Sequence, residues 1–122
     1  MRKKVLVIED EPVIAEMMSI LLEIDGYSVI SLADTGIARR KLHEKEVDLV
    51  MLDLGLKGES GQSMCAYIKG NEDLKDIPVI LVSANSDLEQ IKNECGADDY
   101  ISKPFDMEHF MEKVRSYSQL VN

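Results

Sequence analysis

The sequence predicts an α/β protein: a doubly wound, five-stranded parallel sheet in the order 2-1-3-4-5, with helices on both faces. Three observations predict it. Short apolar runs alternate five times with segments of helical periodicity. The runs are apolar throughout rather than alternating, as in strands buried on both faces. Four of the five end in polar, chemically useful residues, as strands do when their carboxyl ends open on a ligand crevice. Right-handed crossovers between such strands complete the winding.

Lys4 to Ile8 is the first run and ends in Glu9-Asp10-Glu11. Pro12 follows, suited to the first turn of a helix in which Val13, Met17, Leu21 and Ile24 recur at helical spacing and Gly26 supplies the stop. Tyr27 to Leu32 is the second strand; Asp34 or Thr35 caps a helix through Ile37, Ala38 and Leu42. The third strand, Leu49 to Leu52, runs into Asp53 and the loop Gly55 to Gly61, and Ser60 caps a helix carrying Met64, Cys65 and Ile68, closed by Gly70. Pro78 opens the strand Val79 to Val82, which ends in Ser83-Ala84-Asn85. Ser86-Asp87-Leu88-Glu89 has the form of a capping box and predicts a fourth helix ending near Gly96. Asp99 to Ser102 is the fifth strand, followed by Lys103-Pro104-Phe105. Asp106 caps a last helix with Met107, Phe110, Met111, Val114 and Tyr117 on one stripe.

A chain of 122 residues without linker or repeat reads as one domain, residues 1–122, able to form a core without disulfides or metal staples. The net charge of −9 argues against direct contact with nucleic acid or an anionic membrane, both of which require a basic footprint. Neither a membrane span nor a signal peptide is legible, and Cys65 and Cys95 are far apart in sequence, with no C-x-x-C and no histidine at ligand spacing. A reducing cytoplasm is the expected location. His43 and His109 read as surface side chains.

In the 2-1-3-4-5 order, strands one and three are neighbours, so Asp10 and Asp53 face each other across the crevice with Glu9 beside them. Ser83 leaves the fourth strand and Lys103 the fifth. Clustered carboxylates repel, and one has its pKa raised unless a cation is present. Mg2+ suits one or two carboxylates, a backbone carbonyl and waters, with Mn2+ as a possible substitute. A carboxylate so held can act as a nucleophile toward a phosphoryl group, a transfer that needs mainly alignment and charge neutralisation. Lys103 and the cation supply the charge, Ser83 a hydrogen bond to a phosphoryl oxygen, and Ala84 leaves an approach path open. Taken singly, Asp53 could be a turn residue, Ser83 a cap, Lys103 a surface cation and Tyr100 a tyrosine at the edge of the core.

With these residues in this order, the chain resembles the receiver domain of bacterial two-component response regulators, over essentially its whole length. The resemblance makes Glu9-Asp10 the acidic pair, Asp53 the phosphoacceptor, Ser83 the hydroxyl position, Tyr100 the switch aromatic and Lys103 the essential lysine. It implies a flavodoxin-like (βα)5 fold, a cis Lys103–Pro104 peptide and metal contact through the backbone carbonyl of Gly55. It further implies a phosphohistidine donor, on a sensor kinase or a histidine phosphotransfer protein, docking on the first helix near Pro12 and Ile14. A downstream protein target would be reached by reshaping the surface of the fourth helix, fifth strand and fifth helix. The chain is then no enzyme beyond its own phosphorylation and dephosphorylation. It holds no output domain, whether it stands alone or belongs to a longer regulator.

Two positions depart from the pattern: Gly55 where a larger side chain is common, and Lys57 where proline is frequent. An open Gly55 predicts a short-lived phosphate, and the loss of proline a freer loop. Other chemistries fit less well. A haloacid-dehalogenase-type phosphatase needs D-x-D after its first strand, and no G-x-G-x-x-G or G-x-x-x-x-G-K-[ST] supports a nucleotide or flavin site. A pseudo-receiver acting as a constitutive binding module conflicts with the intact Asp10, Asp53, Ser83 and Lys103.

Overall fold

A computed structural model describes residues 2–44, 46–56 and 58–118. Lys57, one of the two departures from the family pattern, lies outside the described residues. The chain alternates β1 (Lys4–Ile8), α1 (Pro12–Ile24), β2 (Ser28–Leu32), α2 (Thr35–His43), β3 (Leu49–Asp53), α3 (Gly61–Lys69), β4 (Val79–Ser83), α4 (Leu88–Cys95), β5 (Asp99–Ser102) and α5 (Met107–Ser118). All strands pair in parallel, in the order β2-β1-β3-β4-β5. Ile8 is level with Leu52, and Asp53 with Val82. The residues that follow β1, β3 and β4 therefore leave the sheet along one edge.

The strands carry two cores because successive side chains point to opposite faces. Leu6, Ile8, Val50, Leu52 and Leu81 pack with Ala38, Leu42, Met64, Ile68 and Leu88 of α2, α3 and α4. Val5, Val7, Met51, Ile80 and Ile101 pack with Met18, Leu22, Phe110 and Val114 of α1 and α5. Helix starts follow the sequence: Asp34 Oδ1 accepts from Ile37 N at 2.9 Å, Ser60 Oγ from Ser63 N at 3.1 Å and Asp106 Oδ1 from His109 N at 2.7 Å. Gly96 closes α4 in the left-handed region at φ 83°, where a side chain would be strained.

Four expectations need correction. The buried stripe of α1 is Ala15, Met18, Leu21 and Leu22; Val13, Met17, Ile20 and Ile24 face outward, Val13 and Ile24 at 79% and 78% exposure. The capping box before α4 does not form. Asn85 Oδ1 instead accepts from Asp87 N at 2.8 Å, and α4 begins at Leu88, which is buried from its first position. Met107 lies off the α5 stripe and is exposed, while Tyr27 precedes β2 and bonds Ser118 Oγ through its hydroxyl at 2.5 Å. The reading against a disulfide holds: Cys65 and Cys95, remote in sequence, meet between α3 and α4 as free, buried thiols, with Cys65 Sγ donating to the Cys95 carbonyl at 3.5 Å.

Candidate functional site

The edge to which the carboxyl ends of the strands point gathers Glu9, Asp10 and Asp53. One carboxylate oxygen from each lies within 4.8 Å of the others. Glu9 is 2% exposed and Asp53 6%; Asp10 is half-buried. The two buried acids are held from several sides. Glu11 N donates to Glu9 Oε2 at 3.3 Å, and Gly55 N donates to Asp53 Oδ1 at 3.1 Å. From the end of β5, Lys103 Nζ lies 3.2 Å from Glu9 Oε1 and 3.5 Å from Asp53 Oδ1.

Three carboxylates thus face one ammonium. Burial, then the hydrogen bond and charge of Asp53, push Glu9 up to about 7, against the pull of the Glu11 amide and Lys103. Burial alone would lower the Lys103 ammonium, but Asp53 and Glu9 outweigh it and raise its pKa. A site that raises one of its acids so far above the ordinary carboxylate range lacks positive charge. Its hard oxygen donors and unbalanced charge fit a small divalent cation. Glu9, Asp10 and Asp53 would hold such an ion.

Lys103 is aimed by its backbone: its amide donates to the Ser83 carbonyl at 2.8 Å, and the Lys103–Pro104 peptide is cis. Ser83, 8% exposed at the end of β4, uses its hydroxyl to accept from Asn85 N at 3.0 Å, which orders the loop containing Ala84. Tyr100 stands on β5 beside Leu81, half-buried, with Lys113 Nζ 5.9 Å from its ring centroid. It does not join the acid cluster; it lines an outer cleft with Ser102, Phe105, His109 and Lys113. Lys113 is itself fixed by Asp99, 2.9 Å away, across the β5–α5 face.

Sequence reasoning passed over Gly61. A Cβ there would collide with the Asp53 carbonyl oxygen and stand 2.6 Å from Leu54 Cα. The first residue of α3 must therefore be glycine for the helix to seat on the strand end that carries Asp53. The available signal was a glycine directly after a capping serine, where helix propensity alone disfavours it.

The doubly wound sheet with acids and a lysine at its carboxyl edge is the CheY type of fold. The chemotaxis protein CheY4 of Vibrio cholerae superposes with a TM-score of 0.87 over 96% of this chain and 99% of that one, at 23% identity. The model of the response regulator receiver domain matches residues 5–115, and the chain belongs to that family. The DNA-binding dual master transcriptional regulator RpaA of Synechocystis is 39% identical over 119 residues, which cover 93% of this chain and 48% of RpaA. The chain spans about half the length of the curated relatives it matches. A receiver domain of a Pseudomonas aeruginosa sensor histidine kinase, solved with a magnesium ion in its active-site cleft, is 26% identical. It matches with a TM-score of 0.87 over 98% of this chain and 99% of that one. Among the described residues no helix is long and apolar enough to cross a membrane.

Proposed function

We propose that this chain is the phosphoacceptor of a two-component phosphorelay, with Asp53 as the residue modified. The observation that carries the reading is the placement of Asp53: 6% exposed, at the end of the central strand, with two further acids and Lys103 around it. An Asp53 carboxylate oxygen forms a bond to phosphorus while the bond from phosphorus to the donor imidazole nitrogen breaks, its electron pair leaving with the ring. The Gly55 amide and Lys103 orient the carboxylate, and Lys103 neutralises charge developing on the phosphoryl oxygens. Glu9, Asp10, Asp53 and the Gly55 carbonyl would hold Mg2+, or Mn2+ in its place, which would supply the remaining neutralisation. The neighbouring structure with magnesium in its cleft supports that assignment.

The donor is a phosphohistidine on a sensor kinase or phosphotransfer protein, and the exposed apolar face of α1 is its docking surface. Once Asp53 is phosphorylated, the Ser83 hydroxyl leaves Asn85 for the phosphoryl group. Tyr100 moves into the space released and α4, β5 and α5 change shape for a downstream protein. Residues 1–122 act as one receiver unit in the cytoplasm that catalyses only its own phosphorylation and dephosphorylation. The test is incubation with acetyl phosphate and magnesium followed by intact mass. One phosphate is added to the wild type and none to Asp53→Asn; equal modification of both proteins sinks the reading.

A further inference from the structure

The loop from Leu54 to Ser60 joins the Asp53 strand to α3, and it holds two glycines and no proline. Gly58 stands at φ 81°, with nothing within 4 Å of where a Cβ would be. A segment of this composition has wide backbone freedom unless it is anchored. Among its described residues, Gly55 donates to Asp53, Leu56 is buried in the core, and Glu59 is held from outside the loop. The anchor is Arg39 of α2, whose guanidinium pairs with Glu59 Oε2. Ser63 Oγ donates to the same oxygen at 3.1 Å. Phosphoryl transfer as described gives neither Arg39 nor Glu59 a part.

Arg39 is oriented by the aromatic residue beneath it. Its guanidinium carbon lies 4.6 Å from the centroid of the Tyr67 ring on α3, and the Tyr67 hydroxyl meets His43 Nε2 of α2 at 2.6 Å. A planar cation is attracted to an aromatic face and is held flat on it, so its direction is set before it meets an acid. Arg39 Nε is buried and makes no hydrogen bond, the one such side-chain nitrogen or oxygen among the described residues. A donor kept from water costs free energy. A lysine at the surface would escape that cost and lose the fixed direction toward Glu59. We propose that Arg39 is a positioning residue for the acid site: through Glu59 it holds the β3–α3 loop in the shape that presents Gly55 to Asp53 and to the divalent cation.

The inference rests on the reading of Glu9, Asp10, Asp53 and Gly55 as the cation site of a phosphoacceptor. Gly55 serves that site twice, through its amide on Asp53 Oδ1 and through the carbonyl assigned to the ion. A loop released at Glu59 has to be ordered again when the ion binds. Ordering a single backbone residue is enough to weaken binding about fivefold. Charge alone predicts a different pattern. Removing the Arg39 cation leaves the surroundings more negative and favours a bound cation, whereas removing Glu59 disfavours it. Loss of position weakens binding in both cases.

Magnesium affinity is measured by titration followed in the amide NMR spectrum, without a phosphodonor, for wild type, Arg39→Met, Glu59→Ala and the double variant. The Arg39 and Glu59 side chains are 35% and 19% exposed, so neither replacement empties the core. Each single variant should bind magnesium about fivefold more weakly. The double variant should bind no more weakly than either single one, as for two residues that act as a unit. In EDTA the Gly55 amide should exchange its hydrogen several-fold faster in all three variants, while Val7 and Leu81 in the strands keep the wild-type rate. Tighter binding by Arg39→Met with weaker binding by Glu59→Ala would show charge acting at a distance and overturn the inference. Wild-type affinity in both singles, additive losses in the double variant, or faster exchange throughout the sheet would overturn it equally. A wild type whose Gly55 signal ignores magnesium removes the cation site itself and the inference with it, a failure distinct from that of Arg39 alone.

Discussion

Glu9 makes the charge imbalance of the site measurable without any phosphodonor. Its carboxyl is held at about 7 against an ordinary 4.5, first by burial and then by Asp53. The folded protein therefore keeps a proton on Glu9 that the unfolded chain has released, and stability falls as pH rises between these values. The contribution is fully present below about 4.5 and lost above about 7. At roughly 1.4 kcal/mol per pH unit the loss is at most about 3.5 kcal/mol. Glu9→Gln mimics the protonated acid at every pH and should escape it. Urea unfolding followed by far-UV circular dichroism, in EDTA, compares the two proteins from pH 5 to 8.5. They should have similar stability at pH 5, with the variant more stable by about 2–3 kcal/mol at pH 8. This corresponds to a midpoint shift of roughly 1 M or more. Magnesium should stabilise the wild type more at pH 8 than at pH 5.5, because Glu9 must lose its proton before it can serve as a ligand. A difference between wild type and variant that stays flat across the range would refute the electrostatic account of the site.

Further predictions concern the support of the site and its use. Gly61→Ala forces α3 off the Asp53 strand end and should cost about 1–3 kcal/mol in urea unfolding; wild-type stability would show that the close approach is not required. At Gly55 an added Cβ meets nothing nearer than the Asp53 carboxylate oxygens at 3.8 Å. Gly55→Met should therefore fold normally and lengthen the lifetime of the phosphate severalfold by covering it, and an unchanged lifetime ends that idea. Ile20→Lys on the outer face of α1 should alter stability by no more than about 0.5 kcal/mol. It should slow transfer from the phosphohistidine partner at least tenfold while leaving acetyl phosphate unaffected; transfer at the wild-type rate would place the donor elsewhere.

The strands and the acid cluster were legible because a parallel strand buried on both faces has to be apolar until it leaves the sheet. Asp53, Ser83 and Lys103 each mark such an exit, and strand order alone brings them to one edge. α1 was harder to read. It is apolar nearly all round, so Val13-Met17-Leu21-Ile24 and Ala15-Met18-Leu22 both satisfy helical periodicity. Only the position of the sheet decides which stripe is buried. The start of α4 was misplaced because Asn85, outside the Ser86–Glu89 pattern, captures the Asp87 amide, and burying Leu88 fixes the first turn. Proximity across helices leaves no local trace at all. Cys65 and Cys95 meet only because α3 and α4 pack side by side, and Gly61 matters only because Asp53 lies beneath it.

The central claim is that one carboxyl group, that of Asp53, carries the phosphoryl group. Borohydride reduces an acyl phosphate to an alcohol and turns the modified aspartate into homoserine, which peptide mass mapping can place. After treatment with acetyl phosphate and magnesium, homoserine is expected at position 53 and at no other acid, and not when the magnesium is chelated. Homoserine at position 10, or none in a protein that remains folded, would contradict the account.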